Sequence, residues 1–119
     1  MMASRTVAPV LEDLRRRVGG LAAALVARDG AVLFADLSEG LFAETFAIMC
    51  ATMVGAGVAA NAELGQGPPE RIVIEAADTR TLIVSGGTGA ILVVVVDLSA
   101  DLSNVREEVG RFTDLLGIG

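Results

Sequence analysis

Residues 38–64 read SEGLFAETFAIMCATMVGAGVAANAEL. The stretch contains no proline, and between Leu41 and Ala60 its only charge is Glu44. Phe42, Phe46, Met49, Met53, Ala60 and Leu64 recur at helical spacing as one apolar stripe, and Leu41, Ile48, Ala51, Gly55, Val58 and Ala62 make a second beside it. Ser38 suits the N-cap of such a helix, with Glu39 in its first turn. Two stripes give an apolar arc wider than one sheet can bury, so the surplus requires a further partner. The small residues Gly55, Ala56, Gly57, Ala59 and Ala60 allow a second helix to come close. A membrane span needs ~20 apolar residues, which this stretch barely supplies. The flanking chain reads as packed sheet, and glycines and polar residues break the run, so the helix is expected to pack in a soluble domain.

Upstream, Val7, Val10, Leu11, Leu14 and Val18 recur at helical spacing, with Thr6 as a candidate cap and Pro9 in the first turn. Glu12, Asp13 and Arg15–Arg17 take the other face, the arginines near the C-terminal dipole, and Gly19-Gly20 ends the helix. Leu21–Arg28 is expected as a strand, Asp29-Gly30 as a tight hairpin turn, and Ala31–Asp36 as the return strand, with Val32 and Phe34 on one face and Leu33 on the other. Downstream, residues 65–69 (GQGPP) form a loop. Three strands follow: Arg71–Ala77, with Ile72, Ile74 and Ala76 opposing Val73 and Glu75; Thr79–Ser85; and Ala90–Val96. The last, AILVVVV, has no polar alternation, which places it centrally in its sheet and covered on both faces. Leu102, Val105, Val109, Phe112, Leu115 and Leu116 make an amphipathic final helix, with Asp101 or Ser99 at its start and Gly117 at its end. The order helix, hairpin, long helix, three-strand meander, helix gives an α+β sandwich, with the two terminal helices on one sheet face and the long helix on the other.

A chain of 119 residues is one domain, large enough to bury a core without disulfides or metals. Hydrophobic residues make up 53% of it but include only four Phe and no Trp or Tyr, so the core is built from Ala, Val, Leu and Ile. A net charge of −6 argues against nucleic acid as a partner. All nine basic residues are Arg, which resembles the residue usage of a GC-rich bacterial genome. The absence of His removes the commonest general base and metal ligand, and the absence of Lys removes Schiff-base and phosphate-loop chemistry. No cofactor or metal is therefore expected, and no catalytic residue is identified. Gly86-Gly87-Thr88-Gly89 lies between strands rather than before a helix and is expected as a turn, not a phosphate cradle. Cys50, alone within the apolar helix, is expected to be a buried inert thiol. An unpaired Cys and an N-terminus without an apolar signal-type core set the expectation of a cytoplasmic protein.

The GGLAAALVARDGAVLFAD hairpin (residues 19–36), the Ala/Met/Gly-rich middle helix and the IVIEAADTRTLIVSGGTGAILVVVVD meander (residues 72–97) resemble, in order and spacing, the roadblock / dynein light chain family. The resemblance covers essentially the whole chain. It implies a profilin-like, mainly antiparallel five-stranded sheet of order 2-1-5-4-3. It also implies a homodimer, in which the strand after the long helix pairs with its twin into a ten-stranded sheet and the two long helices lie side by side. Mapped here, the dimer interface comprises Phe46, Met49, Met53, Gly55, Gly57 and Ala60 of the helix and Ile72, Val73, Ile74 and Glu75 of the strand. Prokaryotic members are similar to regulators of small Ras-like GTPases, which implies a non-enzymatic regulator or scaffold that binds such a GTPase on the helix pair. Glu44, Thr45, Thr52 and Asn61, the polar positions of the helix, are the candidate contacts. An arginine finger supplied in trans is a known activating device, but the helix carries no Arg, and Arg71 and Arg80 are expected to be ion-paired or solvated. The alternatives are a cytoskeletal or signalling scaffold without effect on GTP turnover, and a small-molecule sensor, for which a chain without Trp, Tyr or His is poorly furnished.

Overall fold

The computed structural model describes residues 4–37, 43–85 and 89–116. Along the chain run α1 (Ser4–Arg17), β1 (Ala22–Ala27), β2 (Val32–Leu37), α2 (Ala43–Glu63), β3 (Arg71–Glu75), β4 (Thr79–Ser85), β5 (Ala90–Asp97) and α3 (Leu102–Leu116). The strands form one antiparallel sheet of order β2-β1-β5-β4-β3. The expected caps Ser38 and Glu39, the apolar Leu41 and Phe42, residues 86–88 of the glycine turn and the terminal Gly117 lie outside the described residues.

Val7, Leu11, Leu14 and Val18 bury one stripe of α1. The helix is already formed at Ser4, so Thr6 lies within it rather than at its cap, and Pro9 sits one turn in, where one backbone donor is lost. At its other end Gly19 (φ +63°) allows the Gly20 amide to donate to the Arg15 carbonyl (2.8 Å) and its own amide to the Arg16 carbonyl (3.1 Å). This is a Schellman closure, and it requires the left-handed glycine. The three terminal arginines are engaged locally: Arg15 with Asp36 (2.9 Å), Arg16 with Asp13 (3.3 Å), and Arg17 with Asp13 (2.6 Å).

The first hairpin is wider than a two-residue turn. The Gly30 amide donates to the Ala27 carbonyl and the Ala27 amide to the Ala31 carbonyl, both at 2.9 Å, with Gly30 at φ +93°. This is the three-residue loop in which a left-handed glycine makes a bulge. One strand residue further on the register slips: Leu25 pairs with Phe34 but Val26 pairs with Val32, leaving Leu33 as an unpaired bulge residue. The expected face assignment is corrected by this slip. Val32 packs into the core under α2, Phe34 into the core under α1 and α3, and Leu33 is 46% exposed.

β5 sits at the middle of the sheet, and Ile91, Leu92, Val93, Val94 and Val96 are buried. Leu82, Leu92, Val94 and Val96 face α1 and α3, packing with Leu11, Leu14, Val105, Val109 and Phe112. Ala24, Val26, Ile83, Ile91 and Val93 face α2, packing with Ala47, Cys50 and Val54. Asp101 caps α3, its carboxylate accepting from the Ser103 amide at 2.9 Å. Leu115, expected on the apolar stripe, is largely exposed.

Candidate functional site

Only Ala47, Cys50 and Val54 of α2 are fully buried, a line running between the two stripes read from the sequence. Helical spacing then turns Thr45, Ile48, Met49, Thr52, Ala56 and Ala59 outward, and all are exposed. Ile48 is 53% and Met49 57% exposed. The helix is long and apolar enough to cross a membrane by composition, and only 17% of its apolar window is buried inside the protein. Burying a side chain such as Ile or Met contributes about 1.5–3 kcal/mol. An apolar surface of this extent therefore favours a cover.

α2 lies across one end of the sheet. Ile48 packs against the hairpin at Gly30, where a Cβ would come within 3.3 Å of its backbone, and Gly57 faces Ile72 and Pro69, whose side chains lie 3.3 Å from the position of its missing Cβ. A helix is about 10 Å wide with its side chains, whereas strands of this length run roughly 17–26 Å. Part of the sheet face therefore lies beyond the helix. Leu37, Ala22, Val95, Thr81 and Ile74 are direct cross-strand partners that cross all five strands in one row on the α2 face. All but Ala22 are only half-buried. Among the described residues α2 is the only element on this face, so the row and the adjacent flank of Phe46, Met49, Met53 and Ala60 form a continuous, partly open apolar trough.

The trough ends at β3, an edge strand. The Ala76 amide donates to the Thr79 carbonyl (2.9 Å) to close the β3–β4 turn. By the alternation of an antiparallel ladder, Ile72 and Ile74 then direct their amides to β4, while Arg71, Val73 and Glu75 direct theirs outward. Their side chains divide likewise: Ile72 and Ile74 pack under α2, and Val73 and Glu75 lie on the opposite face. Arg80 Nε is buried without a hydrogen bond, 3.5 Å from Glu75 Oε1, a loose cross-strand ion pair.

The residues expected at a dimer interface therefore separate. Phe46, Met49, Met53 and Ala60 share the trough flank, Ile72, Val73, Ile74 and Glu75 form the edge, and Gly57 is taken up by its own β3. Gly55 lies on the other flank, in a groove with Arg28, Ala51, Val54, Val58 and Ile91. Of the polar positions, Glu44, Thr45 and Thr52 are exposed, whereas Asn61 belongs to the end of the helix, donating to the Gly67 carbonyl (2.9 Å). Arg28, which sequence spacing did not connect with the helix, is brought beside it by the hairpin. Burial pushes the Cys50 thiol up to about 11, so it is protonated at neutral pH.

The sequence profile of the Roadblock/LC7 domain matches residues 8–96. The chain belongs to the Roadblock/LC7 domain family. An uncharacterized protein of Methanocaldococcus jannaschii is 33% identical over 105 residues, covering 88% of this chain and 91% of the relative. The structure of MglB from Myxococcus xanthus superposes with a TM-score of 0.89 at 20% identity, covering 93% of this chain and 91% of that one. A second MglB structure, described as a tetrameric arrangement, gives a TM-score of 0.85 at 26% identity over 98% of this chain and 89% of that one.

Proposed function

We propose that this Roadblock/LC7 domain is a non-enzymatic, cytoplasmic homodimer that binds a small Ras-like GTPase on its paired α2 helices. The observation that carries the reading is the half-buried row Leu37–Ala22–Val95–Thr81–Ile74 beside the exposed flank of α2. If β3 pairs with its twin about a two-fold axis, the antiparallel arrangement brings the twin's α2 over this row. Phe46, Met49, Met53 and Ala60 then meet the twin helix, and the outward amides of Arg71, Val73 and Glu75 find carbonyl partners. The similarity to MglB proteins, one described in a tetrameric arrangement, supports self-association. Membership of the Roadblock/LC7 family, whose prokaryotic members are similar to regulators of small Ras-like GTPases, supports the choice of partner.

The outer surface of the helix pair would present Thr45, Ile48, Thr52, Ala56 and Ala59, with Glu44 and the hairpin residue Asp29 at its border. Asn61, committed to the end of its own helix, is a poorer candidate. α2 offers no basic group, so an effect on GTP hydrolysis would come from holding the GTPase's own residues in place. Arg28 lines the groove beside α2. The purified chain should be mixed with the Ras-like GTPase of the same organism in its GTP form, and binding and turnover measured. Binding with altered turnover supports a regulator, and binding with unchanged turnover supports the scaffold alternative. Absence of both removes the proposal.

A further inference from the structure

On the sheet face opposite α2 the helices stop short of the β3 edge. Leu82, Val84 and Val109 floor a groove of about 330 Å³, walled by Glu70 and Arg71 on one side and Arg106, Gly110 and Thr113 on the other, with Ser85 at its end. Val73, directly across from Leu82 on this face, extends the apolar floor and is 40% exposed. Two features keep the groove open. Gly110 stands where α3 passes over β4, and a Cβ there would meet nothing within 4 Å. The hydroxyls of Thr113 and Ser85 are already used, donating to the Gly110 carbonyl (2.9 Å) and the Pro69 carbonyl (3.1 Å). The polar groups with spare capacity are thus Arg71, Arg106 and Glu70. Arg15, Arg16, Arg17, Arg80 and Arg111 each have a carboxylate partner, whereas Arg71 and Arg106 have none among the described residues. Two guanidiniums without partners flanking an aliphatic floor stand out in a chain of net charge −6.

We propose that this groove binds an extended segment of a partner protein that combines aliphatic side chains with Asp or Glu. The aliphatic groups lie on Leu82, Val84 and Val109, and the carboxylates are received by Arg71 and Arg106 in charge-assisted, bidentate geometry. The groove is built within one chain on the face away from α2; its Arg71 wall adjoins the β3 edge of the proposed dimer, whereas Arg106 on α3 lies away from that edge and carries the test.

The test is selection of a phage-displayed random peptide library on the purified protein, followed by binding measurements with synthetic copies of the enriched peptides. Enriched sequences should pair Asp or Glu with Leu, Ile or Val, and both Arg106→Glu and Gly110→Leu should weaken them at least about tenfold. A peptide with its carboxylate replaced by Lys should regain binding to the Arg106→Glu protein. Arg106 is exposed, so that variant leaves the core intact even if the Gly110 variant folds poorly. Enriched peptides lacking acidic residues, or peptides that bind both variants as well as the original chain, overturn the proposal. A wild-type assembly whose mass falls in Gly110→Leu, with no acidic peptide bound, assigns the groove to another copy of this chain and also overturns it.

Discussion

At the scale of single residues, the two glycines Gly30 and Gly55 have opposite meanings. Gly30 is held at φ +93°, and a Cβ on it would lie 3.1 Å from Ile48 Cγ1 and 3.3 Å from its Cα. Gly30→Ala therefore combines a left-handed backbone cost of about 1–2 kcal/mol with displacement of α2 from the hairpin. The expected loss is about 2 kcal/mol or more in chemical denaturation. Gly55 meets nothing, so Gly55→Ala should gain up to about 1 kcal/mol from helix propensity alone. Titration follows similar local logic. Asp13 is held below its ordinary value of 3.8 by a hydrogen bond from Arg17 and the nearby charges of Arg17, Arg16 and Arg111, and Asp97 by the hydroxyl and amide of Ser99. Both folded values are depressed, so this stabilisation is present above about pH 4 and is lost as pH falls through the folded values. The chain has no His, and Cys50 titrates only near 11. Thermal midpoints should therefore be flat between about pH 6 and pH 8 and fall below about pH 4. A steep change inside the neutral range would contradict this assignment.

At the scale of elements, β3 can be tested separately from the core. Glu75 points its amide outward, so Glu75→Pro removes a donor from the edge while leaving the β3–β4 ladder intact. Each lost backbone bond contributes about 0.5–1.5 kcal/mol, and the two-fold axis doubles it. On the proposed dimer, sedimentation should show association weakened roughly tenfold or more with little change in secondary structure. Ile74→Pro is the control: its amide faces β4, and the variant should lose fold stability as well. Equal effects of both variants would mean that the edge carries no intermolecular ladder. The elements themselves were readable in the chain because each follows a local rule. AILVVVV demanded a central strand, Gly19 a helix stop, and Asp29-Gly30 a hairpin. The face of Leu33 was not readable, because the bulge that turns it out depends on pairing with β1. Nor was the buried line of α2, since a helix apolar nearly all round gives no local sign of which stripe meets the sheet.

At the scale of the molecule, one helix lies over a sheet face it does not fill. If the chain dimerises as proposed, its thermal midpoint should rise with concentration, because association stabilises only the folded chain. Met49→Glu, which places a charge on the trough flank and outside the core, should yield a folded monomer with a midpoint independent of concentration. Thr52→Glu, on the outward surface, should leave the dimer unchanged and weaken only the binding of a GTPase. A Met49→Glu protein that remains dimeric in sedimentation would place the interface elsewhere.

The helices and strands, the sheet's middle strand buried on both sides and the excess of apolar surface on residues 38–64 could all be read from the chain alone. Those properties follow from spacing, turn residues and composition, which act within a few residues of one another. Where that excess lies is a matter of long-range packing. The row Leu37–Ala22–Val95–Thr81–Ile74 draws on all five strands, and Arg28 and Gly55 meet across a hairpin and a helix. The groove under Arg71 and Arg106 likewise joins residues 35 positions apart. Such surfaces are set by register and by how far each helix reaches over the sheet, and these are fixed by packing between distant segments rather than by any local pattern.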